Sequence, residues 1–490
     1  MNSGSDGRRD DLTPVIVHTD LSVRGGGLAR AVPERASLYA RHFKRVVILT
    51  TGFTPELDAI LTELRERGSL DERVIVRNFF QHSSWIAGLG VPPAAALAKQ
   101  GPDVVSVAQQ LPGRSAFRVA DRHADQKHPY GYRYYDTEGT LVLTSTSANA
   151  TKRHELTAVA PGWRARPGAW GSIVARWVDE EIASLPRPVL FSLQRGLIDP
   201  VLVATTKASR KVVSLHNCHY EDPDDNTSGI RRTFRTAFSP GAVDEIVCLT
   251  EQQRHELEVD VPHAVLRTIS YPGRVPREEP VAKDMSLVVM VAQLQERKRV
   301  DHAICAFGLV VARVPGARLD VYGAGPETRA LQRLITELGL QGSVTLKGYS
   351  HQVGVEQARA ACTLLTSTFE GFARVISESM CRGTPVVAYD IRYGPRDLIR
   401  DGTDGVLVPT QTPEALAEAI VELLNDPGRA SRMGLEAKQT LDRFPVADFE
   451  RSWLEVLSPQ PGAATKRVTS AVRTSRPHRA ARRLRALVRG

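Results

Sequence analysis

The sequence predicts an α/β protein with two domains, each built around a parallel sheet, and three observations support this fold class. Short apolar runs alternate with helical patterns along two stretches, one beginning at Pro14 and the other at Leu287. Between them, residues 271–284 are rich in proline and charge, which is typical of a linker. A chain of 490 residues is long enough for two or three domains with substantial cores.

The first domain is predicted at 13–275. A helix is expected over Arg30–Arg41, and the alternation breaks down at about 120–170. There, two strand-like runs flank Asp136-Thr-Glu-Gly139, a turn sequence of the β-hairpin type, so we expect a small antiparallel insertion. Apolar runs predict the parallel strands of this domain at Pro14–His18, Val46–Leu49, Val189–Leu193, Val212–Leu215 and Glu245–Leu249.

The second domain is predicted at 285–445, followed by a helix at 446–458 that we expect to cross back to the first domain. Residues 1–12 are polar and expected to be disordered, and 459–490 form a basic tail. Apolar runs predict the strands of the second domain at Leu287–Val291, Arg318–Tyr322, Ser343–Lys347, Cys362–Leu365 and Pro385–Ala388.

The net charge of +9 comes from the tail. Residues 466–490 contain nine lysines and arginines and no acidic residue, so the rest of the chain is electrically neutral. The high isoelectric point is therefore no argument for a nucleic-acid partner. The tail is expected either to form a basic amphipathic helix on an anionic membrane or to be a solvated extension.

Composition and the N-terminal sequence favour the cytoplasm. No apolar stretch approaches the roughly 18–20 residues that span a bilayer, and the polar N-terminus lacks the apolar core of a secretory signal. The five cysteines are scattered along the chain, which argues against a disulfide framework and against a zinc site.

Two glycine-rich turns follow predicted strands. Gly26 and Gly27 open the first helix, where a helix N-terminus favours an anion, although a plain tight turn is the alternative. Gly323 and Gly325 follow a strand of the second domain and would carry the backbone closely over a nucleotide phosphate, with a ligand-free loop as the alternative. Lys298 lies after the first strand of that domain, where its charge would stabilise a departing pyrophosphate.

Two glutamates, Glu370 and Glu378, give the strongest signal. Glu370 lies in the loop before a helix, and Glu378 lies within that helix, where it can accept hydrogen bonds from both hydroxyls of a ribose. The backbone N–H groups around Phe372, Ala373 and Arg374 open the helix and can hold a phosphate.

His216 and His219 directly follow a strand of the first domain. Two histidines at this spacing could bind a metal, but no third ligand is evident, so we predict no metal site. We expect His216 to face the cleft between the domains instead. There it could hydrogen-bond a sugar hydroxyl or help to transfer a proton.

Together these residues resemble the retaining glycosyltransferases of family 4, over roughly 14–457. The segment Val291-Ala-Gln-Leu294, with Lys298-Arg-Val-Asp301 after it, is similar to that family's strand end and lysine. The resemblance implies the GT-B fold, in which two Rossmann-like domains face a cleft. It also implies a UDP-sugar co-substrate, and neither a cofactor nor a metal.

The same resemblance assigns roles to the predicted residues. Gly26 and Gly27 would lie beside the phosphates, Lys298 would contact the pyrophosphate, and Glu378 would bind the ribose. The predicted catalytic residues are His216, Glu370 and Lys298, with Glu370 near the donor sugar and His216 lining the sugar site.

Two segments point to a narrower branch. Leu215-His-Asn-Cys-His219 and Ala388-Tyr-Asp-Ile-Arg-Tyr-Gly-Pro395 resemble the poly(glycerol-phosphate) or teichoic-acid α-glycosyltransferases and the accessory-secretion glycosyltransferases. That branch implies UDP-glucose or UDP-N-acetylglucosamine as donor, and a polymer or a protein serine or threonine as acceptor. Its members often oligomerise through the antiparallel insertion, so a homo-oligomer is expected.

One departure from the family pattern keeps alternatives open. Gln293 stands where the family has an arginine, and a neutral amide cannot replace a guanidinium at a diphosphate. Arg297 or Arg374 could compensate, or the chain could be a non-catalytic partner of the same fold that binds an acceptor protein. A lipid or small-molecule acceptor is a further alternative. Ala373 also replaces a more usual glycine or proline.

Overall fold

The computed structural model describes residues 8–23, 27–83, 103–110, 117–123, 131–135, 141–147, 154–158, 170–274, 281–350 and 352–458. Gly26, the predicted hairpin turn at 136–139 and the basic tail at 459–490 lie outside the described residues. The predicted disorder of residues 1–12 is wrong for residues 8–12. Arg9 forms a β-bridge with Phe43, and Leu12 is buried in the core, because backbone pairing and one apolar side chain order this polar segment.

The N-terminal domain contains a seven-stranded parallel sheet with the order β12-β11-β10-β9-β1-β2-β3. Every residue of β1 is buried, because helices cover both faces of the sheet, which agrees with its continuous apolar sequence. The strands are β1 (Thr13–His18), β2 (Val46–Thr50), β3 (Val74–Asn78), β9 (Pro188–Ser192), β10 (Arg210–Ser214), β11 (Glu245–Cys248) and β12 (Leu266–Thr268).

The helices of the N-terminal domain alternate with these strands. The Thr250 side chain accepts a hydrogen bond from the Gln253 backbone N–H and so caps the N-terminus of the helix that begins at Glu251. They are α1 (Gly27–Ala40), α2 (Leu57–Glu66), α3 (Phe79–His82), α4 (Trp170–Ile182), α5 (Asp199–Ala204), α6 (Arg232–Arg235) and α7 (Glu251–Asp260).

Five antiparallel strands form a separate meander within this domain. Arg133 and Asp121 form a buried bidentate ion pair at 2.7 and 2.9 Å, which links neighbouring strands. The meander begins at Val104, earlier than the insertion expected at about 120–170. Its strands are β4 (Val104–Gln110), β5 (Phe117–His123), β6 (Gly131–Tyr135), β7 (Leu141–Ser147) and β8 (His154–Ala158).

The C-terminal domain contains a six-stranded parallel sheet with the order β15-β14-β13-β16-β17-β18. Its central strands β13 and β16 pair directly. Chain order therefore reverses next to β13, which places a crevice at the carboxyl ends of these strands. The strands are β13 (Asp284–Val291), β14 (Arg318–Tyr322), β15 (Val344–Gly348), β16 (Ala360–Leu365), β17 (Val386–Tyr389) and β18 (Gly405–Val408).

The helices of this domain pack on both faces of the sheet, and a short 3-10 helix at Glu296–Lys298 follows β13. The α-helices are α8 (Val300–Arg313), α9 (Thr328–Glu337), α10 (Val353–Arg359), α11 (Arg374–Met380), α12 (Pro395–Leu398), α13 (Pro413–Asn425), α14 (Pro427–Ala437) and α15 (Thr440–Arg443). Two parallel sheets and one small antiparallel sheet confirm the predicted fold class.

A final helix, α16 (Val446–Leu457), lies against the N-terminal domain. The Trp453 ring packs edge-on against Phe191 of β9, with 4.8 Å between ring centroids. The Arg35 guanidinium of α1 lies 3.7 Å from the Trp453 ring. The Val456 carbonyl accepts a 3.1 Å hydrogen bond from Arg210 of β10. The helix therefore fastens the end of the second domain to the first.

No helix among the described residues is both long enough and apolar enough to cross a membrane. All five cysteines are free thiols.

Replacing Trp453 with alanine should lower the free energy of unfolding by about 3–5 kcal/mol, because a fully buried indole is lost and a cavity remains. Urea denaturation followed by circular dichroism measures this change. Arg451→Ala on the exposed side of α16 is the matched control, and its effect should stay within about 0.5 kcal/mol. A loss below about 1 kcal/mol for Trp453→Ala would show that the helix is not packed as described.

Candidate functional site

The two domains meet where the loop after β16 touches the loop after β10. A Cβ atom added at Gly371 would lie 2.3 Å from the carbonyl carbon and oxygen of His216. Only glycine fits at this distance. The contact brings together predicted residues from both domains, since Glu370 is the neighbour of Gly371.

Lys298 and Glu370 are in contact at this place. The Lys298 ammonium bonds to Glu370 Oε1, and the same oxygen accepts a 2.7 Å hydrogen bond from the Ser367 hydroxyl. Both charged side chains are largely buried, with 15% and 13% of their surfaces exposed. The carboxylate therefore neutralises the cation that was predicted to bind pyrophosphate.

The loop that carries Lys298 is held by two threonines after β16. Thr366 Oγ1 lies 2.8 Å from the carbonyl oxygens of both Lys298 and Arg299. Thr368 donates from its backbone N–H and its hydroxyl to the Arg297 carbonyl, at 2.9 and 3.0 Å. These bonds fix the backbone on both sides of the lysine, so its ammonium is positioned before any ligand binds.

Gly323 and Gly325 allow the loop after β14 to approach the loop after β13. An added Cβ at Gly323 would lie 1.8 Å from the Ala292 carbonyl oxygen, and one at Gly325 would lie 2.1 Å from the Leu294 carbonyl oxygen. Gly323 also has a φ of 144°, which favours glycine. Backbone packing alone therefore requires both glycines. The prediction that Gly323 and Gly325 lie over a nucleotide phosphate is not tested by these contacts.

Glu378 belongs to a charged network that joins α11 to α1. Arg30 lies 3.4 Å from the Glu378 carboxylate, and Arg374 lies 3.9 Å from it. Arg374 also lies 3.4 Å from Glu34, which in turn pairs with Arg274 at 3.2 Å. Burial favours the protonated form of Glu34, but the neighbouring arginines outweigh burial and lower the pKa of Glu34.

The start of α11 combines a strained residue with a core residue. Ala373 has φ 59° and ψ 60°, the left-handed region, in which a side chain costs roughly 1 kcal/mol. A glycine at this position would adopt the conformation without that cost. The Phe372 ring is buried, 5.6 Å from Tyr271, so it packs rather than facing a ligand.

His216 is half-buried and keeps a buried Nε2 without a hydrogen-bond partner among the described residues. Burial lowers the pKa of His216 well below 6.5, and the nearby positive charges of Arg35, Arg195 and Arg374 lower it further. The imidazole is therefore neutral near pH 7. It can exchange hydrogen bonds with a hydroxyl but supplies no positive charge.

His219 has a different environment. Its ring stacks on Tyr393 with 5.9 Å between centroids, and its nitrogens lie 3.3 Å from Asp260 and 3.2 Å from the Tyr393 hydroxyl. The two histidines thus do not converge. Within the described part of the chain, no group of three or more potential ligands could hold a metal ion.

Gln293 lacks the positive charge expected at a diphosphate site, and the two arginines that could supply this charge have different surroundings. The Gln293 side chain is half-buried and has no hydrogen bond within the described residues. Arg374 is committed to Glu34, and its guanidinium carbon lies 4.8 Å from the Tyr271 ring. Arg297 forms no ion pair with any described residue. Of the two arginines considered, only Arg297 is therefore available to a ligand.

Sequence reasoning missed several residues of this site. Ser367 was missed, although its hydroxyl donates to the Glu370 carboxylate and orients it. Glu34 was also missed, although it forms an ion pair with Arg374. Tyr271 is a third, since its ring lies 6.0 Å from that of His216. Tyr271 stands before a proline in the predicted linker, which was the only signal. The others depend on contacts between distant segments.

Comparison with known proteins identifies the C-terminal domain. Residues 274–440 match the family described as Glycosyl transferases group 1. Among curated relatives, an exopolysaccharide phosphotransferase of Streptomyces coelicolor is 32% identical over 307 residues, which are 61% of this chain and 31% of that protein. A poly(glycerol-phosphate) alpha-glucosyltransferase of Bacillus subtilis is 28% identical over 254 residues, which are 50% of this chain and 37% of that enzyme.

The chain thus spans about a third of the length of these two relatives. It spans 51% of a poly(ribitol-phosphate) alpha-N-acetylglucosaminyltransferase of Staphylococcus aureus, with 26% identity over 51% of this chain. Among solved structures, S. aureus TarM in complex with UDP has a TM-score of 0.72 at 17% identity and covers 91% of this chain and 99% of its own. This likeness shows that the fold is GT-B.

Replacing His216 with glutamine should reduce the loss in the free energy of unfolding that occurs as the pH falls. The unfolded chain binds a proton at this histidine below about pH 6.5, whereas the folded protein resists protonation there. Stability is therefore retained above that pH and lost as pH falls. Below it, the variant's slope should be shallower by up to about 1.4 kcal/mol per pH unit. Urea denaturation at pH 7.0, 6.0 and 5.0 measures the slope, and exposed His255→Gln controls for loss of an imidazole. Identical profiles for wild type and His216→Gln would contradict the assignment.

Proposed function

We propose, starting from a C-terminal domain of the group 1 glycosyltransferases, that the chain transfers glucose or N-acetylglucosamine from a UDP-sugar to an acceptor hydroxyl. The observation that carries this proposal is the convergence of Lys298 and Glu370 of one domain on the loop of His216 in the other. In this proposal a cation, a carboxylate and a neutral imidazole act together on one ligand. Cleavage of a sugar–diphosphate bond needs groups of these kinds.

In this mechanism the bond between the sugar C1 and the UDP oxygen breaks, and UDP leaves with the bonding electrons. Lys298 exchanges Glu370 for the diphosphate and stabilises its growing negative charge. The acceptor oxygen forms the new bond on the face from which UDP leaves, and its proton passes to the departing phosphate oxygen. The anomeric configuration is retained, as in family 4, and no side chain forms a covalent intermediate.

Glu378 is the proposed ribose ligand. With 26% of its side chain exposed, it is accessible, and ribose hydroxyls would compete with Arg30 for its oxygens. The proposed donor site needs no divalent metal, because Lys298 and helix N-termini neutralise the phosphates. Gln293, a neutral amide, adds no charge to this neutralisation.

The proposed acceptor is a polyol-phosphate polymer. This part is supported by the names of the two relatives that act on poly(glycerol-phosphate) and poly(ribitol-phosphate). A relative from Streptococcus gordonii, 29% identical over 235 residues, is named as a subunit that adds N-acetylglucosamine to peptide. A protein acceptor is therefore the second candidate. A non-catalytic partner subunit is the third, and only Gln293 favours it.

Calorimetric titration with UDP, UDP-glucose and UDP-N-acetylglucosamine in the presence of EDTA tests donor binding. We expect micromolar affinity for UDP and for one of the two sugars, because the proposed phosphate ligands belong to the chain itself. The same preparation should slowly hydrolyse the preferred donor. Folded protein that binds none of the three ligands would contradict the proposal and favour a non-catalytic role.

Substitutions at Lys298 and Glu378 separate catalysis from donor binding. Lys298→Ala should lower kcat roughly 100- to 1,000-fold, as expected when a group that stabilises leaving-group charge is lost. Glu378→Ala should weaken UDP binding about tenfold or more, because charged hydrogen bonds to the ribose are lost. Lys347→Ala, remote on β15, is the matched control. Kinetics like those of wild type in both site variants would refute the assignment.

A further inference from the structure

Two arginines from different domains converge on Phe369, the residue before Glu370. The guanidinium carbon of Arg231 lies 4.3 Å from the centre of the Phe369 ring, and that of Arg297 lies 6.0 Å from it. Arg231 comes from the N-terminal domain and Arg297 from the C-terminal domain. Two positive charges, one from each domain, therefore lie against the ring that precedes Glu370 in the chain.

The backbone of each arginine is fixed by the protein. Arg231 donates from its backbone N–H to the His219 carbonyl at 2.8 Å, and its Nε donates to the Tyr220 carbonyl. The Arg297 carbonyl accepts two hydrogen bonds from Thr368. The Phe369 ring itself packs against buried Tyr220 and its neighbours. The Arg231 guanidinium is therefore held by its own hydrogen bond, whereas Arg297 is held through its backbone.

Neither arginine is neutralised within the part of the chain that the structure describes. No described carboxylate forms an ion pair with Arg231 or Arg297, and Arg297 Nη1 is buried without a hydrogen-bond partner there. The other arginines of this region differ, since Arg392 lies 2.9 Å from Glu256 and Arg374 lies 3.4 Å from Glu34. Two unpaired positive charges and a buried donor without an acceptor favour a bound anion.

Arg297 also lines a cavity of about 580 Å³ together with Thr368, and this lining does not include Arg231, Phe369 or Glu370. This volume is typical of a site for a small ligand. Arg299 adds a second positive charge to the lining, while Glu296, Asp301 and Glu327 contribute carboxylates. The hydroxyls of a polyol-phosphate chain can donate hydrogen bonds to these carboxylates, while its phosphates can pair with the arginines.

We propose that Arg231 and Arg297 form a subsite for a phosphodiester group of the acceptor. A phosphate held over Phe369 places the adjoining polyol next to Glu370, where its hydroxyl meets the donor sugar. This inference rests on the proposed function and specifies its acceptor as a polyol-phosphate chain rather than a peptide.

The test compares a charged acceptor with a neutral one. The probes are poly(glycerol phosphate) of defined length and free glycerol, with initial rates measured for wild type, Arg231→Ala and Arg297→Ala. We expect each variant to raise KM for poly(glycerol phosphate) about tenfold or more, because a charge-assisted hydrogen bond is lost. KM for glycerol, the donor hydrolysis rate and the UDP affinity should stay within about twofold. Lysine at either position should recover part of the loss.

Arg232→Ala is the matched control, since Arg232 is an exposed neighbour on α6 and lies outside the subsite. An equal effect of Arg232→Ala would show general attraction of a polyanion and overturn the proposal. Weakened UDP binding in Arg297→Ala would assign that arginine to the donor and also overturn it. A larger loss of binding to phosphatidylglycerol vesicles than to poly(glycerol phosphate) would assign the subsite to a lipid headgroup instead.

Direct titration of poly(glycerol phosphate) without donor keeps this inference separate from the proposed function. If wild type binds no UDP but both arginine variants weaken polymer binding, the subsite stands and the proposed transfer fails. If UDP binds while the polymer binds all variants equally, the subsite is refuted and the proposed transfer is unaffected.

Discussion

The approach of Gly371 to the His216 carbonyl is the constraint on which the cleft depends. A side chain at this position would collide with backbone, so the loop after β16 can touch the N-terminal domain only through a glycine. The same loop is bounded on its other side by Gly394, where an added Cβ would lie 2.2 Å from the Phe372 carbonyl oxygen. Backbone contacts on both sides fix Glu370, so residues from two domains can act on one ligand.

The charges around this loop are arranged in pairs that a ligand must exchange. Lys298 is held by Glu370, and Arg374 by Glu34, so neither cation is free before binding. Exchange of one anion for another costs less free energy than exposing an unpaired buried charge, which keeps the ligand-free site stable. Arg231 and Arg297 differ, because each lies against the Phe369 ring and forms no ion pair with a described carboxylate. Their charges are the ones that remain for an incoming anion.

Most parallel strands were predictable because strands buried on both faces are continuous apolar runs, as β1 shows. The edge strands β3, β12 and β18 were not predicted, because they are partly exposed and short. The start of the antiparallel meander was not predicted either, since Val104–Gln110 contains serine and two glutamines and lacks such a run. Lys298 and Glu370 could be selected because each follows a strand end in a local motif. Ser367, Glu34 and the convergence of Arg231 on Phe369 depend on contacts between distant segments, which no local pattern encodes. Residues 8–12 are likewise ordered by a contact between distant segments, the β-bridge between Arg9 and Phe43.

A crystal structure of the full chain with UDP would show whether Lys298 exchanges Glu370 for the diphosphate. We expect the Lys298 ammonium to have left Glu370 and to contact a diphosphate oxygen, while the ribose hydroxyls contact Glu378. UDP bound elsewhere, or UDP in the cleft with Lys298 still on Glu370, would contradict this expectation.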